Sequence, residues 1–176
     1  AIMADAPMWP DEIYRILRDW DVTQFSYVPD AGHAVLINRS LEDPEVHSVA
    51  LTTEEEGVAM LAGAHLGGAR GVALMQSSGV GNCVNMFSLL QAADFPFFTL
   101  VTMRGEYAEF NRWQGPMGKA TQGALELMGI HVLRVSRPED AEEIVSAGLD
   151  AAFEAGARVA VLLGQNLIGR KKWGRG

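Results

Sequence analysis

Two stretches limit this chain more than any other feature: "FFTLVTM" (97–103) and "RVAVLL" (158–163). Each is too short for a buried helix of ordinary length and is apolar at nearly every position. Side chains on a strand alternate between its two faces, so such runs need cover on both sides, which is the condition of a parallel sheet between helical layers. Four further runs read as strands: "QFSYV" (24–28), "VHSVALT" (46–52), "GVALMQ" (71–76) and "HVLRV" (131–135). The segments between them read as helices. Pro10 opens the first, with Asp11 and Glu12 in its initial turn and Ile13, Ile16, Leu17 and Trp20 on one face. Others are expected over "AVLINRSL", 54–65, 82–92, 119–128 and 138–155. This alternation predicts an α/β fold: a single doubly wound domain with a six-stranded parallel sheet flanked by helices.

A chain of 176 residues with 48% hydrophobic content can bury one full core. We read 1–168 as that domain and the basic stretch "GRKKWGRG" (169–176) as a solvated tail. The net charge of -8, with the other basic residues scattered, argues against a nucleic-acid surface. The lone Cys83 excludes an internal disulfide and reads as a small core residue. "AIMADAPMWP" lacks the charged-then-apolar order of a signal peptide, and no apolar run reaches the roughly 18 residues a membrane span needs. The expectation is a cytoplasmic protein with no membrane partner.

Four strand exits carry unusual chemistry: "PDAGH", "TTEEE", "SSGVGN" and "RGEYAEFNRWQGPMG". In a parallel sheet they share the carboxyl edge, where ligands of such folds bind. Two phosphate motifs are excluded there. Val84 stands where the third Gly of G-x-G-x-x-G belongs. In "GPMGKAT", Trp113 replaces the first Gly of a P-loop and Ala120 its Ser or Thr. His33, His47, His65 and His131 lack metal-ligand spacing, and Ser77 and Ser78 sit in no nucleophile elbow. The triplet Glu54, Glu55, Glu56 remains. Carboxylates in a first helical turn face the positive end of the helix dipole, which accounts for one or two of them but not for all three.

In order along the chain, "TTEEEGVAMLAGAHLGG", "GVALMQSSGVGNCVNMFSLL", "FPFFTLVTMRGE" and "QGPMG" resemble the pyrimidine-binding domain of thiamine-diphosphate-dependent decarboxylases. The resemblance is strongest to sulfopyruvate decarboxylase α subunits, then to phosphonopyruvate decarboxylases, and it covers almost the whole chain. It implies that one Glu at the strand-to-helix junction hydrogen-bonds the cofactor's aminopyrimidine ring. The family spacing of nine residues back from Gly63 selects Glu54, with Glu55 the neighbouring register and helix capping the structural alternative. Gln76, Ser78, Gly79 and Asn82 fall where cofactor contacts are implied. Asp30 and His33 are candidates for proton handling near the reacting carbon, with loop capping the alternative for Asp30. Arg104, Arg112, Gln114 and Lys119 are candidates for binding the substrate, the cations through an anionic tail or else as solvated loop charges.

No "GDG" run for binding the diphosphate occurs. The resemblance therefore implies a β subunit that holds the diphosphate and Mg2+, a hetero-oligomer, and a small anionic 2-oxo acid as substrate. Sulfopyruvate is the leading substrate and phosphonopyruvate the alternative. A domain of the same fold that assembles with a partner without catalysis is the non-enzymatic alternative.

Overall fold

The computed structural model describes residues 8–169, so most of the basic tail lies outside the described residues. Helix α1 (Trp9–Asp19) leads into strand β1 (Val22–Tyr27), then a 3-10 turn (Ala31–His33), α2 (Ala34–Glu42) and β2 (His47–Ala50). Next come α3 (Glu54–Leu66), β3 (Arg70–Gln76), α4 (Ser77–Cys83), α5 (Phe87–Ala93) and β4 (Phe97–Thr102). The chain continues through α6 (Gln114–Leu127), β5 (His131–Val135), α7 (Ala141–Leu149), β6 (Arg158–Leu163) and α8 (Gln165–Ile168).

All six strands are parallel, in the order β2-β1-β3-β4-β6-β5. The apolar strands divide their residues between two cores, as their two-sided hydrophobicity requires. Val72, Leu74, Val159, Val161 and Leu163 meet Ile13, Leu17, Leu36, Val145 and Leu149 of α1, α2 and α7. On the opposite face, Ala73, Met75, Ala160 and Leu162 meet Val58, Val80, Phe87 and Leu125 of α3, α4, α5 and α6. Cys83 lies wholly inside this second core.

Expected elements differ in four places. The glycine-rich stretch after β3 is a short helix rather than a loop, and the helix expected over 82–92 is broken at 84–86 into α4 and α5. Helix α6 begins at Gln114, five residues before Lys119, because Pro116 falls in its first turn. Backbone N–H groups there have no intrahelical partner, so a residue without one loses nothing. The helix expected over 138–155 is a 3-10 turn, α7 and a π turn over Asp150–Glu154. No helix among the described residues is long and apolar enough to cross a membrane.

Candidate active site at the carboxyl edge

Strands β1 and β3 are neighbours although the chain visits β2 between them, so the fold has a switch point at which adjacent strand exits diverge and leave a crevice. Register brings Gln76 level with Thr102 at the ends of β3 and β4. Both reach Asp30, in the exit from β1. Gln76 Nε2 donates to Asp30 Oδ1 across 3.0 Å, and Thr102 Oγ donates to Oδ2 across 2.7 Å. An ionised carboxylate only accepts, so Asp30 sets the orientation of the Gln76 amide. Its Oε1 is thereby turned to accept from Ser78 Oγ and Gln114 Nε2, each at 2.9 Å. Gln114 Oε1 is buried and has no partner among the described residues.

The glutamate triplet separates into distinct roles. Glu56 forms a capping box with Thr53, its Oε2 accepting from the backbone N–H of Thr52 at 2.8 Å and of Thr53 at 3.4 Å. Glu55 is exposed. Glu54 is half-buried and leans toward α4, where Asn82 Nδ2 donates to its Oε2 across 2.8 Å; its Oε1 makes no hydrogen bond among the described residues. Gly79 makes room for it. A Cβ at that position would stand 2.5 Å from Glu54 Oε1 and 2.6 Å from its Cγ and Cδ. Burial, and then the charges of Glu54 and Glu55, push the Cys83 thiol up to about 12, so it stays protonated and unreactive at neutral pH.

The two candidates of the "PDAGH" exit part company. Asp30 lines a cavity of about 200 Å³ with Thr102, Arg104 and Gln165. His33 is buried beneath the edge, its Nε2 lying 3.1 Å from both Met75 O and Leu100 O, while Nδ1 is buried without a partner among the described residues. Two carbonyls can only accept, so Nε2 carries the proton and His33 ties the 3-10 turn to β3 and β4.

The cationic candidates also separate. Arg104 grips Glu109 with Nε at 2.7 Å and Nη2 at 2.8 Å. Arg112 is exposed on a second cavity of about 740 Å³, shared with Ser78, Asn82, Trp113 and Met117. Lys119 is exposed on α6 and lines neither cavity. Sequence reasoning missed Thr102, Glu109 and Gln165. The signal for Gln165 was the exit of β6, "LLGQN", which shares the carboxyl edge with the four exits singled out. Among the described residues no group of three or more His, Cys, Asp or Glu side chains is placed to hold a metal ion.

No family model matches the chain. It is 33% identical over 154 residues to the sulfopyruvate decarboxylase subunit alpha of Methanothermobacter thermautotrophicus, covering 87% of this chain and 93% of that one. The corresponding subunit of Methanococcus maripaludis is 30% identical over 154 residues, covering 87% and 92%. A phosphonopyruvate decarboxylase of Streptomyces viridochromogenes is 40% identical over 108 residues, which are 60% of this chain and 27% of that one. Among solved structures, the 2-oxoglutarate:ferredoxin oxidoreductase of Magnetococcus marinus, with 2-oxoglutarate, coenzyme A and succinyl-CoA bound, superposes with a TM-score of 0.74. That match covers 97% of this chain and 34% of the other at 18% identity, a likeness of fold.

Proposed function

The chain belongs to the family of sulfopyruvate decarboxylase α subunits, and on that basis we propose that it is the α subunit of a thiamine-diphosphate-dependent decarboxylase. The substrate is 3-sulfopyruvate and the products are sulfoacetaldehyde and carbon dioxide. The C1–C2 bond breaks, carbon dioxide leaves, and a proton is delivered to C2. A β subunit completes the hetero-oligomer and holds the diphosphate and Mg2+.

The observation that carries this reading is the setting of Glu54. One carboxylate oxygen is fixed by Asn82, the other is free, and the side chain lies in a cradle that a Cβ at position 79 would fill. A half-buried carboxylate with one oriented, unengaged oxygen fits the ring nitrogen of an aminopyrimidine, so the residues present fit the cofactor. When bound, thiamine diphosphate supplies the carbon nucleophile and the electron sink for decarboxylation. Glu54 holds a proton at the pyrimidine nitrogen, in surroundings where exclusion of water strengthens the charge interaction. Asn82 keeps that carboxylate aimed. Gln76 and Ser78 orient the groups between the two cavities, and Asp30, on the smaller one, handles the proton destined for C2.

Phosphonopyruvate is the second reading, favoured by the 40% identity to a phosphonopyruvate decarboxylase over 108 residues. It differs only in the tail group, so comparing the two 2-oxo acids in the reconstituted complex decides between them. The activation step is tested by Glu54→Gln, which keeps the shape but cannot pass the proton. Exchange of the cofactor's C2 proton in the complex should slow by orders of magnitude, whereas Glu55→Gln loses only a dipole contact of roughly 0.3 to 1 kcal/mol. The reverse ranking would make Glu55 the activating residue. Turnover by the chain without a β subunit would overturn the two-subunit assignment.

A further inference from the structure

Nine arginines lie within the described residues, and eight of them face a carboxylate. The exception is Arg112, on the rim of the cavity it shares with Ser78 and Asn82. We infer that Arg112 is the specificity residue for the anionic group on C3 of the substrate, and that Arg104, Glu109 and Gln165 are positioning residues that hold the loop carrying it. This rests on the decarboxylase reading and divides labour between two arginines that the sequence leaves equivalent.

The geometry of Arg104 removes it from competition. Its Nε and Nη2 are both committed to Glu109, in the forked arrangement that is the strongest pairing available to a guanidinium. Glu109 also accepts from Gln165 Nε2 at 3.0 Å and from the backbone N–H of Asn111 at 3.0 Å. An anionic substrate would have to displace a carboxylate that several donors already satisfy.

The same bonds fix the backbone on either side of Arg112. Gln165 Oε1 accepts from the N–H groups of Glu106 and Tyr107, each at 2.9 Å, and Asn111 Oδ1 accepts from Trp113 N at 3.1 Å. A continuous path thus runs from the exit of β6, through Glu109, to both neighbours of Arg112. The Arg112 side chain itself has no such bond among the described residues. A held backbone bearing an unpaired guanidinium beside a cavity is suited to an anion that stays ionised at neutral pH, the property shared by sulfonate and phosphonate groups.

The test uses the full chain assembled with the β subunit from its own source organism. Catalytic efficiencies are measured for 3-sulfopyruvate and for 2-oxobutanoate, whose C3 carries a methyl group instead of the anionic tail, and assembly is followed by sedimentation. Arg112→Ala should lower the efficiency ratio of 3-sulfopyruvate to 2-oxobutanoate about tenfold or more, mainly through KM, and Arg112→Lys should restore part of it. Glu109→Gln and Gln165→Ala should lower both substrates together and leave the ratio unmoved. A second readout is independent of turnover: saturable quenching of tryptophan fluorescence by 2-hydroxyethanesulfonate, present in the wild type and lost in Arg112→Ala. An unchanged ratio in Arg112→Ala overturns the inference, as does dissociation of the complex with both substrates falling equally, which would make Arg112 an interface residue. Saturable sulfonate binding that depends on Arg112, without turnover of either acid, supports the subsite and overturns the decarboxylase reading instead.

Discussion

Asn82 Nδ2 donates to Glu54 Oε2 across 2.8 Å, linking the first turn of α3 to α4, 28 residues further along the chain. The bond holds one carboxylate oxygen, while the other lies against Gly79 and makes no hydrogen bond among the described residues. If its purpose is to aim Glu54, Asn82→Ala should leave the fold intact and slow C2-proton exchange in the complex about tenfold or more, the scale of a hydrogen bond to a charged group. Exchange at the wild-type rate would mean that Asn82 serves the helix contact alone.

Gly79 supports a sharper test of the same carboxylate. The atoms a Cβ would strike are Glu54 Oε1, Cδ and Cγ, the far end of a flexible side chain, so Gly79→Ala should displace the glutamate rather than unfold the helix. Thermal stability should change little while C2 exchange is largely lost. A large drop in Tm with exchange preserved would show that the glycine is needed by the backbone of α4.

Glu56 should behave in the opposite way. Its carboxylate satisfies two N–H groups at the start of α3, so Glu56→Ala removes a cap worth roughly 0.5 to 2 kcal/mol. In a chain of this length each 1 kcal/mol lowers Tm by about 2 to 4 °C. Calorimetry should detect that loss, with C2 exchange per folded molecule maintained. Slowed exchange without a stability loss would reassign Glu56 to the site.

Two buried groups give stability a defined dependence on pH. Burial holds the His33 ring below its ordinary value of 6.5, against the pull of Asp30 and of two backbone carbonyls. The unfolded ring takes up its proton first, so this contribution is fully present above about 6.5 and is lost as pH falls below that value. The Arg104 hydrogen bonds, helped by those from Asn111 N and Gln165, hold Glu109 down at about 2 against an ordinary 4.5. Its contribution is present above the ordinary value and disappears as pH falls toward 2. Urea unfolding across this range should show two declining arms, the upper removed by His33→Gln and the lower by Glu109→Gln. An upper arm that survives His33→Gln would place its origin elsewhere.

Six parallel strands, the gathering of four polar strand exits along one edge of the sheet, and Glu54 as the residue that opens α3 were legible in the residues alone. These are readings of local pattern: a two-sided apolar run can be satisfied only inside a covered sheet, and a strand exit falls where periodicity changes. Tertiary structure decided which exits meet. Asp30, Gln76 and Thr102 converge because β1 lies beside β3, and β3 beside β4, a pairing between segments far apart that no local period encodes. The fate of the arginines was settled in the same way. "RGEYAEFNR" holds both Arg104 and Arg112 in an aperiodic loop, and only folding it against Gln165 from the exit of β6 engages one with Glu109 and leaves the other without a carboxylate partner among the described residues. Strand identity is local chemistry, whereas an ion pair depends on a few ångströms of separation that the whole sheet has to establish.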